Sequence, residues 1–323
     1  MSNSKRVLIG KVLAASALGI IAMAATEMSH ARQMHPLVIY GADNRLEVHE
    51  EADASRRDLA RSVVAIMPAD ALRTSTPGIS QVTGMKYGQA NNLCTTEKFY
   101  DQLAPAYCSG FLVADNIIAT AGHCVQDPNF CDDAKFVFDF SMDAKDRDPN
   151  SIKSDDVYGC KRVIFEEIDG RGADYAFVEL DRNVVGRTPV RFAPQAPKTG
   201  DSVFVIGHPV GLPAKIAGGA KVRRNTPGYF VANLDTYGGN SGSAVFVEGT
   251  NEVAGILVRG EQDFIRRGMC NVSYQCKDEL CRGEDVTNAE IVAEKLLDIL
   301  TTPDVPVITP QPSVPSNDAV AAQ

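Results

Sequence analysis

The sequence predicts an all-β protein, a β-sandwich or barrel arrangement followed by a single C-terminal helix. Three observations carry this. Apolar and polar residues alternate over many short segments between about residues 60 and 260. Those segments are rich in Val, Ile and Phe and are separated by Gly, Pro, Asp and Asn, the residues that form tight turns. Strong helical spacing occurs only once, near the C-terminus.

The chain opens with Lys5, Arg6 and Lys11, an apolar run from Val12 to Ala25, and small residues at Ser29 and Ala31. That is the layout of a secretory leader. Cleavage is expected after Ala31, with Ala24 as second choice. The apolar run falls short of the roughly 20 residues a membrane span needs. Residues 32–60 form an N-terminal segment that includes a candidate propeptide part. Strands are expected at Ser62–Met67, Ser109–Ala114, Ile117–Ala121, Phe136–Phe140, Cys160–Phe165 and Tyr175–Leu180, giving a first unit over 61–188. Residues 186–201, with three prolines and few core candidates, read as a connection. Further strands at Ser202–Gly207, Tyr229–Ala232, Ser243–Val247 and Glu252–Arg259 give a second unit over 189–284. Ile291, Val292, Lys295, Leu296 and Ile299 share one face of a helix expected over about 285–302, with Thr287 or Asn288 as its cap. The proline-rich tail 303–323 suits neither sheet nor helix.

The formal net charge is −9. Removing residues 1–31 takes away three basic groups and one acidic group and leaves −11. An acidic chain without basic blocks argues against a nucleic-acid partner. No segment after the leader is apolar enough to span a membrane, so a secreted monomer, extracellular or periplasmic, is expected. The eight cysteines all follow the leader, and an even number in an exported chain reads as disulfides. Cys270, Cys276 and Cys281 lack a CxxC pair or a nearby histidine, so no metal is expected.

Residues 237–245, YGGNSGSAV, crowd Ser241 with glycines. Gly239 and Gly242 permit backbone conformations and close approaches closed to other residues. Such a cluster suits a nucleophile whose own N–H and a neighbouring N–H must face one oxygen. Taken alone, a tight turn between strands explains the stretch equally well. A serine nucleophile needs a base, and His123, in ATAGHCVQD at the end of an apolar strand, is the best placed. A carboxylate must then orient the imidazole, and Asp174, which opens the alternating stretch DYAFVEL, is the candidate.

TAGHC, ADYAFVEL and GGNSGSAVF, in that order, resemble the motifs of the chymotrypsin-fold serine endopeptidases, and most of all the bacterial glutamyl-endopeptidase-like branch. The opening VIYGADNRLEV resembles the start of that branch as well. The resemblance runs from about Val38 to Gly260. It implies two antiparallel six-stranded Greek-key β-barrels with the active site between them. It further implies His123 as general base, Asp174 as its orienting partner, Ser241 as nucleophile, and the N–H groups of Gly239 and Ser241 as an oxyanion hole. A protein or peptide substrate and no cofactor follow. It also implies a Cys108–Cys124 bridge beside the histidine. Cys131–Cys160 is a second expected pair from proximity along the first barrel, and Cys94, Cys270, Cys276 and Cys281 keep three possible pairings.

The chain departs from the family at several places. Asn240 stands where digestive enzymes carry an Asp that pairs with the freed N-terminus. Val258 and Arg259, in GILVRG, replace the Ser and Trp of the substrate-edge strand, and Ala244 replaces a Pro. Asp235 lies six residues before Ser241, the spacing at which the trypsin group places its pocket floor, which suggests cleavage after Arg or Lys. Leu257 stands where the glutamyl branch has the histidine that reads acidic side chains. Arg259 is a candidate to neutralise Asp235 at the substrate edge. An α/β-hydrolase is excluded because Ser243 breaks G-x-S-x-G and the order of the three residues is wrong for that fold. A catalytically weak or inactive protein of the same fold that binds peptides or a surface partner is the alternative.

Overall fold

The computed structural model describes residues 39–302 except 146, 170–171, 261–262 and 278–280. The leader and the proline-rich tail lie outside the described residues. Twelve strands close two six-stranded antiparallel barrels, and one helix follows them. The first barrel comprises β1 (Val63–Pro68), β2 (Cys108–Ala114), β3 (Ile117–Thr120), β4 (Ala134–Val137), β5 (Val157–Ile168) and β6 (Asp174–Leu180). The second comprises β7 (Ser202–Gly207), β8 (Lys215–Thr226), β9 (Tyr229–Ala232), β10 (Ala244–Val247), β11 (Val253–Arg259) and β12 (Glu284–Asn288). Around the first barrel the order is β1-β2-β3-β6-β5-β4, and around the second it is β7-β8-β9-β12-β11-β10. The two barrels therefore share one topology. Among the described residues no helix is long and apolar enough to cross a membrane.

Closure leaves no barrel edge exposed and gives the strands two faces to bury. In β7, Val203 and Val205 point into the second barrel with Val245, Leu257 and Val286. The alternate residues Phe204 and Ile206 join the core cluster that holds Phe111, Ile118 and Phe177 of the first barrel. Period-2 alternation thus sends one set inward and the other into the seam between barrels. That is why SVFVIG is almost wholly apolar. Strand Arg45–Glu47 adds to β8 through Ile216↔Leu46, and Ile39–Tyr40 pairs with Gln275–Cys276.

The helix, α1, spans Ala289–Thr301, not the stretch from 285. Residues 284–288 form β12 instead, hydrogen-bonded to β9 and β11 on either side. Pairing on both edges outweighs the weak helical preference of EDVTN. β8 has no counterpart among the expected strands, because Gly218-Gly219 and the basic KVRRN interrupt its apolar pattern.

Four disulfides are present: Cys94–Cys270, Cys108–Cys124, Cys131–Cys160 and Cys276–Cys281. Cys108–Cys124 ties the start of β2 to the short helical turn Gly122–Val125 that carries His123. Replacing both cysteines by alanine is expected to cost about 2–5 kcal/mol. Thermal unfolding of the double variant against the unaltered protein measures this, and an unchanged midpoint would refute it.

Candidate active site

His123 follows β3 in the turn Gly122–Val125. The turn packs tightly: a Cβ on Gly122 would meet the Glu167 carbonyl at 2.9 Å and the Tyr175 nitrogen at 3.2 Å. Glycine there lets the turn press against β5 and β6, and so brings the imidazole to Asp174 at the head of β6. Asp174 is buried, and Nδ1 of His123 lies 3.0 Å from its Oδ2 and 3.2 Å from Oδ1. The His123 backbone N–H also donates to Asp174 Oδ1, at 3.1 Å. A carboxylate accepting from both the ring and the backbone of one residue fixes that ring in place and directs Nε2 outward. Among the described residues no other group donates to the Asp174 side chain. The sulfurs of Cys108 and Cys124 lie close to the imidazole. They are bonded to each other and so offer no thiolate to a metal.

Ser241 is partly exposed, in the loop between β9 and β10. Its neighbour Gly242 has φ 89° and presses against the first barrel. A Cβ there would meet the Ser109 carbonyl, the Thr120 hydroxyl and the Ala121 nitrogen. The loop is thereby seated against the end of β3, the strand that leads into His123. The Ser109 N–H donates to the Ser241 carbonyl at 2.8 Å.

Buried peptide groups are nearly always paired, and most of those in this loop are. The Gly238 N–H donates to Asp263, and the Gly238 carbonyl accepts from the Val210 N–H. The Gly239 carbonyl accepts from the Ser109 hydroxyl at 2.9 Å. The Asn240 N–H donates to Tyr237, its carbonyl accepts from the Ser243 N–H, and the Gly242 N–H donates to Leu257. Among the described residues only the N–H groups of Gly239 and Ser241 take no partner in this stretch. A peptide's carbonyl and the following N–H point in opposite directions. The Val210 bond therefore turns the Gly239 N–H the other way, and the Ser243 bond does the same for Ser241. Two unpaired donors, two residues apart and beside a serine hydroxyl, can receive one developing oxyanion. Val210 itself has φ 48° and ψ 25°, left-handed values that a β-branched residue adopts at a cost of about 1–3 kcal/mol.

Asn240 is buried, and its Oδ1 accepts from the Ser243 hydroxyl, so the residue serves the loop itself. Arg259 pairs with Asp285 and does not neutralise Asp235. Neither the pairing of Asp285 nor its strand position is visible in sequence, where Asp285 opens the expected helix. Both oxygens of Asp235 accept backbone N–H groups of the N-terminal segment, from Tyr40 at 2.7 Å and from Asn44 at 2.8 Å. Two further carboxylates attach to the same stretch. Glu284 accepts from the Tyr40 and Thr236 hydroxyls, and Asp263 accepts from the Gly238 N–H. Sequence reading missed Glu284 and Asp263, which stand far from the nucleophile motif and carry no pattern of their own.

Burial pushes the carboxyls of Asp235 and Asp263 up to about 7 and that of Glu284 well above its ordinary range. A carboxyl that titrates near 3.8 when unfolded and near 7 when folded binds a proton on folding between those values. Its contribution to stability is thus present at low pH and is lost as pH rises to about 7. His208, fully buried and lowered to about 3 by that burial, works in the opposite sense between about pH 3 and 6.5. Comparison with a variant isolates one group. Asp263→Asn, which stays neutral, is expected to be more stable than the unaltered protein at pH 8 and to lose that advantage at pH 5. Urea unfolding at the two values checks this, and an equal difference at both would contradict it.

Residues 108–256 match the trypsin-like peptidase domain. His123, Asp174 and Ser241 all fall within that stretch. No curated protein matches the chain by sequence. Among solved structures the chain is similar to a Glu endopeptidase solved in complex with MPD, at 17% identity, covering 81% of this chain and 99% of that one, with a TM-score of 0.47. It is also similar to the Vibrio cholerae VesB protease, at 13% identity, over 81% and 68% of the two chains, with a TM-score of 0.49. A serine endoprotease from Yersinia pestis is similar at 15% identity, over 76% and 65%, with a TM-score of 0.44.

Proposed function

We propose that this protein is a secreted serine endopeptidase, working in an extracellular or periplasmic space. Ser241 attacks the peptide carbonyl, His123 takes its proton and passes it to the leaving amine, and Asp174 holds the imidazole and stabilises its charged form. Water then hydrolyses the acyl-enzyme, regenerating Ser241. The chemistry calls for no metal or cofactor. The observation that carries this reading is the pair of N–H groups, Gly239 and Ser241, that take no partner among the described residues, while the other N–H groups from Gly238 to Ser243 are bonded. The leader pattern and the four disulfides support an oxidising compartment. Labelling of Ser241 by a fluorophosphonate, together with hydrolysis of a mixed peptide library, tests the assignment. A chain that is folded but takes no label and cleaves nothing would be a peptide-binding protein of the same fold.

For the residue before the scissile bond, the reading is Arg or Lys. Asp235 opens the four residues 235–238 that lead into the oxyanion loop, and Glu284 and Asp263 attach to Thr236 and Gly238 of the same stretch. A substrate cation entering there would draw these raised carboxyls into their charged form and pair with it, whereas an acidic side chain would push them further toward neutrality and find no such partner. Matched peptides with Arg, Phe or Glu at that position are expected to favour Arg by on the order of 10–100-fold in kcat/KM. Preference for Glu, or an unchanged profile in Asp235→Ser, would sink this assignment and leave the peptidase reading intact.

A further inference from the structure

We propose that Ser109 is a positioning residue for the oxyanion site, acting through its side-chain hydroxyl. The proposal rests on the peptidase reading above. Ser109 is the second residue of β2 and is fully buried, so no water competes for its hydroxyl. Its Oγ accepts from the His208 N–H at 2.9 Å and donates to the Gly239 carbonyl at 2.9 Å. A hydroxyl has one proton. With a lone pair committed to His208, that proton is committed to Gly239. The backbone N–H of the same residue donates to the Ser241 carbonyl. One side chain and one amide from the first barrel thus hold the carbonyls on both sides of Asn240.

The consequence falls on the two free amides. The Gly239 N–H belongs to the peptide just before the carbonyl that Ser109 holds, and Gly239, at φ 84°, can swing that peptide with little cost. The glycine has hardly any room to relax sideways, since a Cβ there would meet the Gly211 and Val210 nitrogens and the His208 carbonyl. Rotation about its own bonds is the motion left, and two contacts oppose it, the Val210 N–H on the Gly238 carbonyl and the Ser109 hydroxyl on the Gly239 carbonyl. Removing that hydroxyl leaves only the Val210 bond to hold the Gly239 amide, which can then tilt away from the oxyanion while Ser241, His123 and Asp174 keep their places. Misplaced donors weaken transition-state binding and leave ground-state binding alone.

The test uses the full secreted chain. Ser109→Ala is expected to lower kcat about 10–100-fold with KM little changed. A peptide aldehyde, whose hemiacetal oxyanion occupies the same donors, should lose affinity by the same factor, while a matched peptide amide should not. Ser109→Thr, which keeps the hydroxyl, should restore both. Ser109→Gly removes Oγ together with Cβ and should behave as Ser109→Ala does. Wild-type kcat in a folded Ser109→Ala protein, a loss confined to KM, or equal loss of aldehyde and amide affinity would overturn the proposal. So would failure of both the Ala and Gly variants to fold beside an active Ser109→Thr, since the hydroxyl would then serve the fold. If the unaltered protein itself takes no fluorophosphonate, the peptidase reading fails first and this proposal with it.

Discussion

Ser241→Ala is expected to leave a folded protein that has lost peptide hydrolysis by roughly 10⁴-fold or more. The serine side chain is partly exposed and donates to nothing in the described residues, so its removal opens no buried hole and strands no partner. His123→Ala and Asp174→Asn should cost activity on a similar scale. The Asp174 exchange is the more instructive of the two. The carboxylate accepts from both the ring and the backbone N–H of His123, so an amide in its place must present one NH₂ to a donor. The imidazole would then be held in the wrong tautomer. Because the three groups act as a unit, a triple variant should be scarcely worse than Ser241→Ala alone. Initial rates on a peptide library, with circular dichroism to verify folding, decide the matter. Hydrolysis by the Ser241→Ala protein would end the serine-peptidase reading.

The parts of this molecule that could be read from sequence are those written in short-range signals. Ile117–Thr120 and Ser202–Gly207 are apolar, bounded by turn residues, and are found as strands. The glycines around Ser241 announce unusual backbone by their spacing alone, and Gly239 and Gly242 do hold positive φ. The parts that could not be read depend on partners far along the chain. EDVTN carries the composition of a helix start, yet all five residues are buried in β12. They can be buried because each polar side chain finds a partner at long range. Glu284 meets Tyr40, Thr287 meets the Gly172 carbonyl, and Asn288 meets the Thr226 carbonyl. Asp235 is the same lesson at the site itself. Its spacing from Ser241 suggests a pocket floor, but the groups that occupy its two oxygens lie 195 and 191 residues earlier. Ser109 shows a third kind of blindness. A serine beside a cysteine in a strand carries no signal, and its importance comes from where the second barrel lays Gly239.

Gly242→Ala is expected to be among the most damaging single methyls in the described residues. Two separate costs arise there. The residue holds φ 89°, a region in which an L-residue is strained by about 1–3 kcal/mol. The added Cβ would also collide with the Ser109 carbonyl, the Thr120 hydroxyl and the Ala121 nitrogen. Two of these three atoms are backbone in the paired strands β2 and β3 or directly after them, and such atoms do not yield as a flexible side chain would. Relief would require the loop to lift from the first barrel, breaking the Ser109-to-Ser241 bond and withdrawing Ser241 from the end of β3. Stability and chemistry should therefore fail together, with a loss of several kcal/mol and little residual turnover. Gly249→Ala separates the two costs. Gly249 has a similar φ of 85° but nothing within 4 Å of a new Cβ, so it carries the strain without the collision. Its variant should lose only the smaller amount and keep full activity. Equal destabilisation of the two variants in chemical unfolding, or a fully active Gly242→Ala protein, would show that the nucleophile loop is not seated against β3 as described.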